Sequence, residues 1–255
     1  QGPCVSAFEE SLCRTVDARY AIACNSGTSA LHMACLSVGI KPGDEVITSP
    51  ITFVASANCV LYCGAIAVFA DIATDTYNVS PTEIEKRISE RTRAVIPVHY
   101  AGQSCDMEAI QDIVRRAEKR FGRKIYIIED ACHALGSLYK ERKVGSCAFS
   151  DLTVMSFHPV KHITTGEGGV VLTNDDGLQK RLRRLRSHGI TSTPSEFQNR
   201  TMAFQDADLD RHSLPNPWYY EQVELGYNYR ITDIQCALGL SQLRKLESYR
   251  RRRRE

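Results

Sequence analysis

In "TVMSFHPVKHITTGEGGVVLTN", residues 153–174, Lys161 sits in a short polar loop between two apolar, strand-like runs. Lysine is ordinarily a solvated surface group, so its place beside two buried-looking segments asks for a chemical reason. A lysine held near another cation has a lowered pKa and becomes a useful nucleophile. Ser156 adds a hydroxyl just before the loop, and "TTGEGG" makes a tight turn of small residues after it.

Three further groups stand where they could join that lysine. "CNSGTSAL" (24–31) reads as a strand end, a Ser-Gly-Thr-Ser turn and a helix start. Free N–H groups at a helix N-terminus bind anions, and Thr28 and Ser29 are placed to hold a phosphate. A plain N-cap explains these residues, taken alone, equally well. Asp130 closes the apolar strand of "IYIIEDACHALGS" (125–137), with His133 three residues on. A carboxylate there can pair with a protonated ring nitrogen, cap a helix or ligate a metal; no third metal ligand stands near it in sequence. Phe53, in "SPITFVASAN" (49–58), opens a helix near a strand end, where an aromatic either stacks on a planar ligand or joins the core. Lysine, phosphate site, carboxylate and aromatic together are the set that pyridoxal 5′-phosphate needs. Lysine forms the Schiff base, and the carboxylate keeps the pyridine nitrogen protonated so that the ring withdraws electrons. An aromatic and a histidine can sandwich the ring.

Alternating elements must position these groups. Strands are predicted at 20–24, 44–49, 65–71 (a buried one), 93–100, 124–130, 150–157 and 168–174. Helices are predicted at 27–39, 53–64, 80–89, 106–122 and 176–189, with Ser80, Pro81 and Glu83 forming a capping box and Gly122 closing the fourth. Continuous apolar strands alternating with helices imply an α/β fold: a mostly parallel sheet with helices on both faces. Ligands then bind beyond the carboxyl ends of the strands. Residues 191–217 lose the pattern and read as a long loop. A helical period resumes at "ITDIQCALGLSQLRKLESYRRRRRE" and reaches the last residue without a stop signal.

The chain's 255 residues, 43% hydrophobic and 24% charged, suit one large globular domain or two small ones. No apolar run is long enough for a membrane helix, and "QGPCVSAFEE" lacks a signal pattern. The net charge of +2 rests on Arg250–Arg254: setting those five aside leaves 27 basic residues against 30 acidic. A mildly acidic body argues against general nucleic-acid binding; the arginine run reads as the exposed end of a helix, with a nucleic-acid or membrane-surface tail as the alternative. The ten cysteines include no Cys-x-x-Cys pair, so neither a zinc ribbon nor a redox motif is indicated. Cys24, Cys35, Cys59, Cys63, Cys132 and Cys236 read as reduced thiols packed as small hydrophobes in a cytoplasmic protein.

"NSGTSALHMAC", "TFVASANC", "EDACHALGS", "SFHPVKHITTGEGG" and "GYNYRITDIQ" resemble, in order, the motifs of the DegT/DnrJ/EryC1/StrS sugar aminotransferases. The resemblance covers nearly the whole chain. It implies a fold-type I pyridoxal-phosphate-dependent transferase with an aspartate-aminotransferase-like large domain. Lys161 matches the Schiff-base lysine and acid–base group, and Asp130 the partner of the pyridine nitrogen. Phe53 and His133 match the positions flanking the ring, and Thr28, Ser29 and Ser156 the phosphate cradle. Asn228, in "GYNYR", matches an asparagine that reaches the cofactor phosphate of a neighbouring subunit, which implies a homodimer. Substrates implied are a nucleotide sugar and L-glutamate. "ERTRAVIPVHYAGQSCDM", "HALGSLYKERKVG" and "RSHGIT" are most similar to the pseudaminic acid branch, which aminates a UDP-linked 4-keto-6-deoxy-N-acetyl-altrosamine; perosamine- and bacillosamine-type sugars are the alternatives. Dehydrating relatives resemble the chain with His in place of Lys161, so the lysine argues for amination. Family members begin earlier and continue into a small C-terminal domain. The chain therefore reads as a fragment, with residues 1–190 as cofactor domain and 191–255 leading toward the missing part. A non-catalytic cofactor-binding relative is a further alternative. A dehydrogenase is disfavoured, since no G-x-G-x-x-G follows the first strand.

Overall fold

The computed structural model describes residues 2–204 and 214–255. Its strands, in chain order, are β1 (Tyr20–Cys24), β2 (Glu45–Thr48), β3 (Ile66–Phe69), β4 (Thr92–Ile96), β5 (Tyr126–Asp130), β6 (Leu138–Tyr139), β7 (Arg142–Lys143), β8 (Leu152–Ser156), β9 (Gly169–Thr173), β10 (Ile190–Thr191) and β11 (Glu221–Gln222). The helices are α1 (Pro3–Val16), α2 (Gly27–Ser37), α3 (Ala55–Tyr62), α4 (Pro81–Arg87), α5 (Met107–Phe121), α6 (Asp176–Arg186), α7 (Arg200–Ala203), α8 (Asp233–Leu243) and α9 (Leu246–Arg254).

Seven strands form one sheet in the order β1–β9–β8–β5–β4–β2–β3. Within it β9 alone runs against its neighbours; the other strands share one direction. Their carboxyl ends therefore lie along one edge, and the loops after β1, β2, β4, β5 and β8 emerge side by side. Successive side chains of a strand point to opposite faces. Ile22, Ala94, Ile96, Ile128 and Val154 accordingly pack under α2, α3 and α6. Ala21, Ala23, Met155 and Leu172 face α1 and α8, while Ile47, Val95 and Ile127 face α4 and α5. Helices on both faces bury the central strands completely, as the continuous apolar runs require.

Several expectations are corrected. β3 is the sheet edge, and Ile66 and Phe69 are 45% and 47% exposed, so that apolar run is not buried. The capping box at Ser80 is not formed: Ser80 Oγ pairs with Thr82 Oγ1 at 2.9 Å, and Lys86, one turn on, takes Glu83 at 2.6 Å. Such a box forms instead at Thr232 and Gln235. The terminal helical period is two helices, broken at Arg244–Lys245, and the break lets Leu246 reach the core beside α1. α1 was not foreseen; Val5, Phe8, Leu12 and Val16 form its buried stripe at helical spacing. Stretch 191–217 is partly ordered by the β10–β11 ladder, a 3₁₀ turn at Pro194–Glu196, and Phe197, whose ring meets Tyr219 edge-on at 5.0 Å. Its residues 205–213 lie outside the described residues. Among the described residues, no helix is long and apolar enough to cross a membrane.

Candidate active site

A cavity of about 390 Å³ opens at the carboxyl edge of the sheet. Most of its lining comes from the segments that follow strands, with Leu31 and Ala55 added from α2 and α3. Ser26, Gly27 and Thr28 come from the end of β1, and Thr52 and Phe53 follow β2. Val98, His99 and Tyr100 follow β4; Asp130, Cys132 and His133 come with β5. Ser156, His158, Val160 and Lys161 complete it after β8. Parallel strands put these segments, far apart in sequence, around one volume.

The helix start expected to hold a phosphate is built by close packing. Ser26 caps α2: its hydroxyl accepts from the Ser29 N–H at 3.0 Å and meets Ser29 Oγ at 2.9 Å. Ser29 is thereby buried behind Ser26, and Ser26 and Thr28 present themselves to the cavity instead. The N–H groups of Gly27 and Thr28 have no carbonyl partner inside the helix, so they are free for an anion. A Cβ on Gly27 would stand 2.9 Å from Ser156 Cβ, and one on Gly169 only 2.3 Å from the Ser26 carbonyl oxygen. Glycine lets the helix start press against the ends of β8 and β9. Gly27→Ala is expected to weaken phosphate binding and to cost about 1–3 kcal/mol through overpacking; urea unfolding and cofactor titration check both.

Asp130, 6% exposed, is held at the end of β5. Its Oδ2 accepts from Ser56 Oγ at 2.7 Å and its Oδ1 from the Cys132 N–H at 3.2 Å. Behind it, the neighbouring Glu129 points away from the cavity. Its carboxylate accepts from His99 Nε2 at 2.7 Å, Thr153 Oγ1 at 3.2 Å and Ser150 Oγ. Because the Cys105 N–H donates to His99 Nδ1 at 3.1 Å, the ring's proton sits on Nε2, aimed at Glu129. This pair ties the segment after β4 to β5 and so sets where Asp130 stands.

Burial raises the cost of the Glu129 charge, but its hydrogen bonds outweigh that and hold the carboxyl below its ordinary 4.5. The stabilisation is complete above that value and is lost as pH falls through the lowered one. His99→Ala is expected to cost about 2–4 kcal/mol at neutral pH. The variant should also lose less stability than the parent on acidification, which urea unfolding across pH would show.

Lys161 is half-buried in a pinned loop. Phe157 and Gly168 close the neck at 2.8 Å, Thr165 N–H bonds the Phe157 carbonyl at 3.0 Å, and the Lys161 N–H bonds the His158 carbonyl at 2.9 Å. Arg253 reaches the His162 carbonyl at 3.3 Å from α9. Burial, then the Lys161 charge, push the His133 ring below its ordinary 6.5 against the pull of Asp130. His133 is thus neutral at pH 7 and can lie on a cationic ring without repelling it. Burial and the Asp130 charge push the Cys132 thiol well above its ordinary 9.0, so it stays protonated and does not compete with the lysine.

Of the residues expected from sequence, Lys161, Asp130, Phe53, His133, Thr28 and Ser156 meet at this cavity. Ser29 lies behind its wall, while Asn228 is exposed and pairs by its backbone with Ser187, away from the cavity. Sequence reasoning did not single out Ser26, Thr52, Ser56, His99 or Glu129. Only Ser26 carried a local signal, as the N-cap of "NSGTS". All ten cysteines are free, and no group of three or more potential metal ligands forms among the described residues.

An amine, a buried carboxylate and an anion-binding helix start, converging at the edge of a mostly parallel sheet, fit pyridoxal phosphate and define a fold-type I cofactor domain. The chain belongs to the DegT/DnrJ/EryC1/StrS aminotransferase family, whose model matches residues 1–255. Aminotransferases of this family are pyridoxal-phosphate-dependent. The chain is 41% identical over its whole length to the Bacillus subtilis spore coat polysaccharide biosynthesis protein SpsC, of which it spans 60%. GDP-perosamine synthase of Caulobacter vibrioides is 39% identical over 97% of the chain and 58% of its own length. Among solved structures, Helicobacter pylori PseC, an aminotransferase of pseudaminic acid biosynthesis, superposes with a TM-score of 0.81 at 36% identity, covering 97% of this chain and 59% of PseC.

Proposed function

We propose that the chain carries the cofactor half of an aminotransferase that moves an amino group from L-glutamate to the C4 keto group of a nucleotide-linked 4-keto-6-deoxy sugar. The observation that carries this reading is Lys161 facing the same cavity as buried Asp130. When bound, the cofactor supplies an electron sink for the carbon that loses or gains a proton. Gly27, Thr28, Ser26 and Ser156 would hold the phosphate, Asp130 would keep the proton on the ring nitrogen, and Phe53 and His133 would flank the ring. Lys161 moves the proton to and from the substrate carbon at its Nζ. Asn228, exposed and outside its own cavity, is free to serve a second copy's site in a homodimer.

The likeness to PseC supports a UDP-linked 4-keto-6-deoxy-N-acetyl-altrosamine as acceptor. A GDP-linked 4-keto sugar is the second reading, supported by the likeness to perosamine synthase. The test is absorbance of the chain with pyridoxal phosphate before and after L-glutamate, followed by mass spectrometry with each keto sugar. Conversion to the pyridoxamine form and a one-amine mass change on one sugar are expected. A bound cofactor that ignores glutamate would instead indicate a non-catalytic relative.

A further inference from the structure

We infer that Ser56 is a positioning residue for Asp130, fed by Thr52, and that this hydroxyl relay keeps the carboxylate aimed at the cavity. The inference rests on the cofactor reading above. Ser56 is fully buried in the first turn of α3, and its Oγ lies 2.7 Å from Asp130 Oδ2. An ionised carboxylate only accepts, so Ser56 must donate its single hydroxyl proton. Thr52 Oγ1, 2.8 Å from Ser56 Oγ, must then be the donor to Ser56. The direction of the relay is thus fixed: Thr52 to Ser56 to Asp130.

With Oδ1 held by the Cys132 N–H, each carboxylate oxygen has one protein donor. The remaining lone pairs are left for a ligand at the cavity. The donor at Oδ2 holds the carboxylate in one orientation, and removing the relay frees it to turn. A turned carboxylate would hold the proton on a ring nitrogen less firmly. Thr52 and Phe53 are adjacent, so the relay also fixes the wall that carries Phe53 relative to Asp130.

The test uses ¹⁵N-labelled pyridoxal phosphate bound to the parent chain and to Ser56→Ala, Thr52→Val and Asp130→Asn variants. Circular dichroism confirms folding, and cofactor affinity is measured beside the ring-nitrogen shift. In the parent the shift is expected at the protonated value, and in Asp130→Asn near the neutral one. Ser56→Ala should fall between them and bind the cofactor about tenfold or more weakly, the scale of one hydrogen bond to a charged group. Thr52→Val should move the same way by less, and it carries the test should Ser56→Ala not fold. Parental shifts in the folded variants would overturn the relay alone. A parent chain that binds no cofactor would overturn the cofactor reading, and the relay with it.

Discussion

Lys161→Ala is expected to abolish glutamate-dependent conversion of the cofactor, with turnover falling at least about 10³-fold, since one positioned acid–base group alone contributes roughly 10²–10⁴-fold. The loss includes the covalent anchor as well as proton transfer, so the visible band of a lysine-bound cofactor should vanish too. The proposed phosphate cradle lies on other residues that line the cavity: Gly27 and Thr28 at the start of α2, and Ser156 at the end of β8. Phosphate-driven binding should therefore survive, weakened. Lys161→Arg is the informative control. It keeps charge and bulk, but guanidinium stays protonated in proteins and cannot act as a base or amine nucleophile. It should be as inactive as the alanine variant. Stopped-flow absorbance with L-glutamate reads both, and retained conversion in Lys161→Ala would remove the lysine from the chemistry.

Asp130→Asn should produce the second-largest loss, on the order of 10²–10³-fold in turnover, the range seen when one preorganised electrostatic contact is removed. The substitution is nearly isosteric, so the cavity keeps its shape. Two things change together. The negative charge at Asp130 is lost, and the amide, which accepts on only one side, keeps its oxygen on the Cys132 N–H and turns its NH2 to Ser56, whose hydroxyl must reverse its donation. The re-pairing is expected to lower stability by about 1–3 kcal/mol. Turnover and thermal unfolding together separate the effects: the stability loss reads the re-pairing of the hydroxyls, and the turnover loss reads the missing charge.

The fold was largely legible because its signals are local. Continuous apolar runs bounded by turns mark strands buried on both sides, and their alternation with helices leaves little choice but a mostly parallel sheet. The Lys161 loop was legible for the opposite reason: a charged residue between buried strands violates the local pattern, and such violations mark sites. Local signals failed where neighbours compete. Ser80 had the letters of a capping box, yet Thr82 and Lys86 took the partners. The run at β3 was as apolar as a central strand, but burial is a property of the sheet's order, which places β3 at the edge.

By itself, then, the sequence determined the reagents and the scaffold: the amine at Lys161, the carboxylate at Asp130, the helix start at Gly27, and the α/β alternation that brings strand ends together. Tertiary structure decided which side chains serve them. It turned Ser29 into a buried partner of Ser26, brought Ser56 to Asp130 across 74 residues of chain, and set His99 on Glu129 so that Asp130 alone of the adjacent pair of acids faces the cavity. Period and propensity are written along the chain, because they arise from steric preferences between near neighbours. Which hydroxyl donates to which carboxylate depends on the distance between loops that only sheet register and helix packing fix.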